Sequence, residues 1–590
     1  MDRRDGLVAG LLGAGLIAWL LPAVNWGVDA HHDGIMLKPA LDVLSGQALF
    51  RDTFTHYGAL TTYLQAAALW IQPTLLAVHV QTLATYVITL LFLYAAWRHV
   101  LPRSLTVLSC GLFALLIPTY ELDWIGDYWK LMPWSSAYAL TFQSIGLYAL
   151  LRMIRGNRPV SCALLLGAAS AAVFWCRVPV GLTWAAGLAG ICLALGWTRW
   201  EPAGTTRTKV LAGLLLGLGI VHGILLINLV ATGAVAAWWY QNFVWPLTWV
   251  NQDARVGVDM FSIVFLHPVP ALALLALPGL VLGLRWARNK YPGMPSWIPG
   301  LVWTVLALGA AWQHDFFLRA LDLRAGGWTA LIPVVIIIQA IVSLISVFRR
   351  TILPADADYY LVAAWTGLAV SALPQYYPLA DPWHILWSAA PGLGLFVFLF
   401  WRVLGWTPRT VIIVFAATFL PAIYHKAVSF VDASRQPVVT LEAPAVLRGM
   451  KVMPKTAELY AQVARTLEPV LRLRPDLPGV AMGPDALYLC FLSNHTNALP
   501  YFIKWPNLTT AADEEKRWRF IHNQRPLVFF QSPKDWTAVG DFYRTEHYVP
   551  LLYVADAALE IAVPREIADA LGVTNYGRSL APPTPPNVTP

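Results

Sequence analysis

Residues 6–24 read GLVAGLLGAGLIAWLLPAV, and residues 25–39, directly after them, read NWGVDAHHDGIMLKP. The first stretch is apolar throughout and long enough to cross a hydrocarbon core of about 30 Å as a helix. The second stretch turns at once to two aspartates and two adjacent histidines. This junction predicts a membrane-spanning helix followed by a polar loop whose aspartates and histidines are candidate functional residues.

Apolar runs of similar length recur along the chain to about residue 424. Of the 590 residues, 57% are hydrophobic and only 13% are charged, which is far from the average of soluble proteins. About thirteen runs are long enough, or nearly so, to span a membrane as helices. They lie near residues 6–24, 75–97, 104–118, 135–151, 160–175, 180–197, 210–230, 261–284, 297–311, 328–348, 359–373, 384–400 and 409–424. The sequence therefore predicts a polytopic α-helical membrane protein.

Basic residues are concentrated in alternate loops. One set of loops carries Arg3, Arg98, Arg155 and Arg350, whereas the intervening loops are rich in aspartate. Because Lys and Arg resist translocation, the basic loops and the N-terminus are predicted to be cytoplasmic. The first helix is interpreted as uncleaved, since no clean cleavage site follows it. We expect a multi-pass protein of the plasma (inner) membrane, whose net charge of +8 indicates anionic lipid rather than nucleic acid.

The composition changes after residue 424. Charged residues and proline reach soluble densities there, and an odd number of helices places this region outside the cytoplasm. We predict an extracytoplasmic (periplasmic) α/β domain over residues 425–578 and a disordered Pro-rich tail over 579–590. Its predicted helices are AELYAQVARTLEPVL (457–471) and AADEEKRWRFIHNQ (511–524), and its predicted strands are ALYLCFLS (486–493), RPLVFFQS (525–532), YVPLLYV (548–554) and ALEIAVP (558–564).

The first outer loop, residues 25–73, contains two predicted helices that lie in the membrane interface. In the first, apolar Ile35 and Leu41 alternate with polar Lys38 at helical spacing. The second covers residues 58–71 and stops at the proline that follows. The loop is therefore expected to be folded and close to the lipid.

Carboxylates at a membrane surface suit glycosyl transfer. A carboxylate can remove the proton of an acceptor hydroxyl as that hydroxyl attacks a sugar carbon. A lipid phosphate can leave without an acid when cations and hydrogen-bond donors absorb its charge. The candidate bases are Asp33 and Asp29, and the outward-facing cationic candidates are Arg51, Lys130, Arg177 and His384.

Several candidates also have a structural interpretation, and the sequence leaves both open. Asp29 or Asp33 can cap a helix, because a carboxylate accepts hydrogen bonds from the first N–H groups. Arg177 can extend its guanidinium to the membrane interface without any ligand. His384 can be a satisfied histidine at a helix end.

A second acidic cluster, ELDWIGDYWK, contains Asp127 and Lys130. These residues can line the acceptor side, hold a cation, or form a salt bridge at helical spacing. In the first loop, His31 and His32 are adjacent, so their side chains diverge and rarely bind one metal ion. We therefore predict no cofactor, with a divalent cation as the weaker alternative.

The run DAHHDG, followed by KPALDVLSGQALFRDTFTHYGAL, resembles the first outer loop of the GT-C superfamily of polyprenyl-phosphate-sugar-dependent glycosyltransferases. The resemblance is strongest to its bacterial RgtA/B/C/D-like members, and the HxDG core is similar to the HPDE motif of lipid-linked-mannose transferases. It implies that Asp33 is the catalytic base and Asp29 the alternate. Gly34 stands where the HPDE relatives have an acidic residue, so the resemblance leaves a second carboxylate open.

Two further stretches are similar to this family. QYYPLADPWHILWSAAP (375–391) resembles a family pattern that implies Asp381 and His384 near the cavity, and FWCRVPVGL (174–182) resembles the turn that carries an arginine, here Arg177. With the loop residues named above, these positions complete the predicted substrate-binding set: His31, His32, Arg51, Asp127, Lys130, Arg177, Asp381 and His384.

The implied function is an inverting hexosyl- or pentosyltransferase at the extracytoplasmic face. Its donor is a polyprenyl-phosphate-linked sugar, its acceptor is a glycan, lipid or protein, and it binds membrane lipids but no nucleic acid. The rival interpretation is a transporter, or a flippase or polymerase of lipid-linked glycans, that works without aspartate catalysis. A transporter more often carries its charges near the bilayer midplane, whereas the acids of this chain crowd one face.

Overall fold

The computed structural model describes residues 2–55, 57–120, 130–197, 200, 202, 204–247, 357–376, 382–403, 406–492, 499–504, 508–531, 546–554 and 557–573, with a few positions between 287 and 298. The predicted apolar runs near 261–284, 297–311 and 328–348 lie outside the described residues. Asp127, Asp381 and the Pro-rich tail lie outside them as well.

The helical region contains fourteen α-helices within the described ranges. They are α1 Arg3–Val24, α2 His32–Leu44, α3 Ala59–Ile71, α4 Leu75–Trp97, α5 Arg103–Leu116, α6 Ser135–Ile154, α7 Pro159–Cys176, α8 Val178–Trp197, α9 Arg207–Ala231, α10 Val235–Trp239, α11 Ala357–Ala372, α12 Pro382–Ala389, α13 Leu393–Phe398 and α14 Pro408–Arg435. Six of them, α1, α4, α6, α7, α8 and α9, are long and apolar enough to cross a membrane. The described chain is thus helical at ten of the thirteen predicted runs.

The ends of α1, α4 and α5 are held together by charge on one side of the bundle. The Asp5 carboxylate on α1 accepts hydrogen bonds from Arg98 (2.9 Å), which follows α4, and from Arg103 (2.8 Å), which begins α5. At the opposite ends, His79 Nδ1 on α4 donates to the Val24 carbonyl at the end of α1 (2.9 Å). Helices α1 and α4 are therefore antiparallel. We call the side with Asp5 the basic end and the other side the site end.

Helices α7 and α9 approach closely because each carries glycine at the contact. A Cβ added to Gly217 would lie 2.0 Å from the Leu164 carbonyl oxygen, and one added to Gly167 would lie 2.1 Å from the Leu214 carbonyl oxygen. Membrane helices pack this tightly only through small residues. The contact fixes α7, whose site end leads into Arg177.

The last part of the described chain is an α/β unit, residues 439–573, which we call the C-terminal domain. A two-stranded ladder (β1 Val439–Thr440, β2 Lys451–Val452) precedes a four-stranded sheet of order β3-β4-β6-β5, with β3 and β4 parallel and the other pairs antiparallel. The sheet elements are β3 Gly479–Met482, β4 Leu527–Gln531, β5 Tyr548–Val554 and β6 Leu559–Pro564, with helices α15 Pro454–Leu473, α16 Ala511–Gln524 and α17 Arg565–Ala570. Both predicted helices and three of the four predicted strands are present; the last apolar helix, α14, continues past the predicted run to Arg435.

The fourth predicted strand, 486–493, is wrong. Its residues form a 3-10 helix at Leu487–Phe491, and the strand beside β4 is instead Gly479–Met482. The 3-10 residues Leu487, Tyr488, Leu489 and Cys490 are all buried. A short apolar run that is buried on every side has no periodicity to separate strand from helix.

Helix α2 was predicted to lie in the membrane interface, but in the structure it is enclosed by protein. Every residue from Asp33 to Asp42 is buried, beneath the C-terminal domain and beside α3. The ion pair between Lys38 and Asp42 is buried within it, and Asp42 also accepts from the Thr53 hydroxyl (2.7 Å). The amphipathic spacing therefore reflects packing against protein, where paired charges replace water.

Backbone hydrogen bonds join the first loop to the C-terminal domain. Gly27 N–H donates to the Lys451 carbonyl (2.6 Å), and Lys451 N–H donates to the Asn25 carbonyl (2.6 Å). Farther along, Phe54 N–H donates to the Pro500 carbonyl (2.8 Å). The loop between α1 and α4 is thus built jointly with the C-terminal domain.

Candidate active site

Asp29 caps the start of α2 and remains partly exposed. Its Oδ1 accepts the backbone N–H groups of His31 (2.9 Å) and His32 (2.8 Å), and its Oδ2 pairs with His32 Nδ1 at 3.0 Å. Burial opposes ionisation, but the hydrogen bond and charge of His32, together with the charge of Lys130, hold the pKa of Asp29 well below its usual range. Asp29 thus binds the backbone N–H groups of the turn that leads into α2, and one of the roughly four acceptor positions of its carboxylate is left open.

Asp33 is completely buried, four residues further on. Its Oδ2 accepts the backbone N–H of Asp29 (2.8 Å), and its Oδ1 lies 3.4 Å from Nε2 of His79 on α4. His79 is equally buried, and sequence reasoning did not select it. The only signal was a histidine inside an otherwise apolar run, LLAVHV (75–80).

The two hydrogen-bond partners of His79 indicate which ring nitrogen carries a hydrogen. His79 Nδ1 faces the Val24 carbonyl, which only accepts, so Nδ1 carries a hydrogen. The contact between Nε2 and Asp33 is then a hydrogen bond only when one more proton lies between the two groups. This pair ties the start of α2 to α4.

His31 faces the C-terminal domain. Its Nδ1 lies 3.2 Å from the Pro484 carbonyl oxygen and 3.6 Å from Oδ1 of Asp485. Burial lowers the pKa of His31, but the hydrogen bond and charge of Asp485, with the charge of Asp29, raise it above its usual value. The two adjacent histidines therefore take different carboxylate partners, as their diverging side chains predict.

Trp134, the residue that caps α6, connects the first loop to the cationic candidates. Its ring lies 4.8 Å from the ring of His32 and 6.1 Å from that of His384 on α12, measured between centroids. Two residues further on, the Ser136 hydroxyl accepts a hydrogen bond from Arg177. Four sequence-distant segments thus meet at the start of α6.

Lys130 and Arg51 have different surroundings. Lys130 Nζ is buried and donates to the Val28 carbonyl (3.0 Å), one residue before Asp29. Arg51 is exposed and donates to Asp52 (2.7 Å) and to the Thr232 carbonyl (2.8 Å). Among the contacts of the described residues, Lys130 belongs to the Asp29 cluster and Arg51 does not.

The start of α6 also carries buried donors. Trp134 Nε1 and the Ser135 hydroxyl are buried and make no hydrogen bond within the described structure. The N-terminus of a helix has positive dipole potential, and the Arg177 guanidinium lies beside it. This side of the cluster is suited to an anion.

The described side chains do not fit a metal site. No group of three or more His, Cys, Asp or Glu residues within the described ranges is arranged to hold an ion. His31 and His32 direct their Nδ1 atoms to separate carboxylates, and three of the roughly four acceptor positions of Asp29 are taken by N–H donors. We derive no step through a metal.

Comparisons with known proteins give structural neighbours only. No protein-family model matches the chain, and no curated protein matches it either. The structure is similar to the oligosaccharyltransferase of Archaeoglobus fulgidus tethered to an acceptor peptide, with TM-score 0.48 and 13% identity over 95% of this chain and 74% of that one. It is also similar to ArnT of Cupriavidus metallidurans bound to undecaprenyl phosphate, with TM-score 0.41 and 11% identity over 94% of this chain and 97% of that one.

A third similarity is to archaeal AglB with an inhibitory peptide and a dolichol-phosphate, with TM-score 0.46 and 13% identity over 96% of this chain and 74% of that one. Two of these three neighbours are oligosaccharyltransferases, and the other is ArnT. At such low identities and TM-scores, they assign no activity and no site residue to this chain.

Proposed function

We propose that this protein is a membrane glycosyltransferase that moves a sugar from a polyprenyl-phosphate donor to a hydroxyl acceptor at the extracytoplasmic face. The observation that carries the proposal is the meeting of two unlike groups at Trp134. One is an exposed carboxylate–imidazole pair, Asp29 and His32; the other is a cationic edge formed by Arg177 and the start of α6. Transfer from a lipid phosphate needs both a proton acceptor and a place for the departing anion.

The proton acceptor in this proposal is His32 oriented by Asp29. The ionised Asp29 carboxylate only accepts, so His32 Nδ1 carries the hydrogen and Nε2 of the neutral ring has a lone pair. Nε2 takes the acceptor proton as the acceptor oxygen attacks the anomeric carbon, and Asp29 stabilises the imidazolium that forms. Direct attack inverts the configuration at that carbon.

The phosphate leaves toward the cationic edge. The bond between the anomeric carbon and the phosphate oxygen breaks, and both its electrons stay on that oxygen. Arg177 is charged at all relevant pH values and suits a phosphate in fork geometry. The Ser136 hydroxyl accepts a hydrogen bond from Arg177 and holds the guanidinium beside the start of α6.

Asp33, which the sequence motif suggests as the base, has a positioning role in this proposal. Its complete burial separates it from any acceptor, and its Oδ2 fixes the backbone of Asp29. The preference for Asp29 and His32 over Asp33 rests on their exposed fractions of 23% and 35%.

The test is transfer by purified protein in detergent, with no sealed membrane. Synthetic polyprenyl phosphates carrying a labelled hexose or pentose serve as donors, and detergent-extracted membranes of cells lacking the protein serve as acceptor. We expect label to enter the acceptor with release of one polyprenyl phosphate per sugar. His32→Ala should lower the rate by at least about 100-fold, whereas His522→Ala, at an exposed histidine of the C-terminal domain paired with Glu546, should not change it.

Two results would refute the proposal. One is movement of the lipid-linked sugar between the leaflets of sealed vesicles with no transfer in detergent, which identifies a flippase. The other is full transfer by His32→Ala and Asp29→Asn alike, which removes the proton acceptor proposed here.

A further inference from the structure

Gly34 is the point where α2 touches the C-terminal domain. A Cβ added at Gly34 would lie 2.3 Å from the backbone nitrogen of Leu487 and 2.9 Å from the carbonyl carbon of Ala486. The neighbouring atoms are backbone and cannot rotate away. Any side chain at position 34 would therefore displace the domain, and an acidic residue has no room there.

The turn that fills this space brings its own carboxylate to the loop. Asp485 precedes Ala486, and its Oδ1 lies 3.6 Å from His31 Nδ1, next to the Pro484 carbonyl at 3.2 Å. A carbonyl and a carboxylate both accept, so the hydrogen of His31 is fixed on Nδ1. The ring orientation of His31 is thus set from the C-terminal domain.

The sheet holds this turn in place. Gln531, buried at the end of β4, accepts the Asp485 N–H through Oε1 (2.8 Å) and donates to the Asp485 carbonyl through Nε2 (3.1 Å). Its two hydrogen bonds clamp the backbone on both sides of the Asp485 side chain. The Asp485 and His31 side chains both remain 27% exposed, so a substrate can reach the pair.

We propose that Asp485 is the second acidic residue of the site and positions His31 to bind the hydroxyl-bearing acceptor. The proposal rests on the proposed function and extends it to the C-terminal domain. The rings of His31 and His32 lie edge to face, 4.7 Å apart. His31 holds the acceptor by a hydrogen bond at Nε2, while His32 removes the proton. Asp485 acts through His31 and takes no proton itself.

The experiment separates acceptor binding from donor binding. Initial rates are measured with the labelled polyprenyl-phosphate sugar that gives transfer, while the detergent-extracted membrane acceptor and the donor are titrated in turn. Asp485→Asn keeps both backbone bonds to Gln531 but removes the carboxylate charge 3.6 Å from His31, and it should raise the acceptor KM about tenfold. The donor KM and kcat should stay within about twofold.

Further variants distinguish the proposed role of Asp485 from a purely structural contact. Asp485→Glu keeps the carboxylate and should restore part of the acceptor KM, and Asp476→Asn removes an exposed acid of the same domain and should change nothing. His31→Gln should raise the acceptor KM at least as much as Asp485→Asn, and the double variant should be no worse than His31→Gln alone, because Asp485 acts only through His31.

The outcomes are distinguishable. Absence of transfer by the native protein refutes the proposed function. Native transfer with an unchanged acceptor KM in Asp485→Asn refutes the role of Asp485 alone. Equal changes in donor and acceptor KM, with a lower melting temperature and no recovery in Asp485→Glu, also overturn it, because they identify a purely structural contact.

Discussion

Both ends of the helix bundle contain buried or half-buried aspartates, but the partners of their carboxylates differ. At the basic end, Asp5 is paired with Arg98 and Arg103, whose guanidinium groups never lose their proton in practice. At the site end, Asp29 and Asp33 are paired with histidines and backbone N–H groups. Arginine partners fix a charge, whereas histidine partners gain and lose protons near neutral pH. The carboxylate charge is therefore fixed by arginine at the basic end, whereas at the site end it is shared with histidine and backbone N–H groups.

The sharpest test of this comparison is Asp29→Asn. Asparagine still caps α2, so folding and membrane yield should be preserved, but the partner that stabilises the His32 imidazolium is lost. Base catalysis contributes roughly 100- to 10,000-fold, and we expect kcat to fall within that range in the detergent transfer assay. Asp5→Asn should leave kcat per folded molecule unchanged. An equal loss of kcat in the two variants would break the comparison.

The cations of the two ends should also differ. Arg177→Ala removes the guanidinium beside Ser136, and the donor kcat/KM should fall about 10- to 100-fold, as for a lost hydrogen bond to a charged group. Arg98→Ala leaves Arg103 on Asp5, so it should lower the melting temperature without a donor defect. Donor titration at saturating acceptor measures both. A normal donor kcat/KM in Arg177→Ala would remove it from the phosphate side.

Asp33→Asn tests whether the buried aspartate is the base or a support. We expect roughly a tenfold loss of kcat, because the amide oxygen can still accept the Asp29 N–H. Its loss of stability should be smaller than that of Asp5→Asn, since asparagine at position 5 leaves two guanidinium groups without their shared carboxylate. Thermal unfolding and transfer assays of both variants measure this. A loss above about 1,000-fold, with normal stability, would return the base to Asp33.

The smallest effect is a pH dependence of domain docking. The folded-state pKa of His31 is raised by Asp485 and Asp29, so its contribution is fully present below the unfolded pKa of about 6.5 and is lost as pH rises through the folded pKa. Hydrogen exchange in residues 484–491, corrected for intrinsic rates, should therefore be slower near pH 5.5 than near pH 8.5. Exchange around Asp5 should show no such change, and His31→Gln should abolish the difference. Equal protection at both pH values would contradict it.

The sequence predicted the helices because apolar length is a local property. The starts and ends of α1, α3 and α4 follow from runs and breakers within a few residues, and so do the amphipathic helices α15 and α16. The exposed Asp29–His32 pair also lies within one short segment, so its residues could be selected without a structure.

What sequence reasoning missed depends on distant contacts. His79 contacts Asp33 because α4 lies beside the start of α2, and Asp485 lies near His31 because Gly34 leaves room for a backbone turn. The relative burial of Asp29 and Asp33 is likewise decided by the C-terminal domain and α4 rather than by spacing. No pattern in a single sequence records these contacts.

The hydrogen bond between His31 and Pro484 spans 453 positions of the chain. At a synthesis rate of roughly 5 to 20 residues per second, about 20 to 90 seconds separate the emergence of the two partners. During that interval α2 carries its Lys38–Asp42 ion pair without the cover it has in the finished fold. The first loop is therefore synthesised early but acquires its last contacts late. A ribosome that stalls before residue 484 leaves the helical bundle without the contacts of His31 to the C-terminal domain. The contacts of His31 with Pro484 and Asp485 can therefore form only after translation has reached the C-terminal domain.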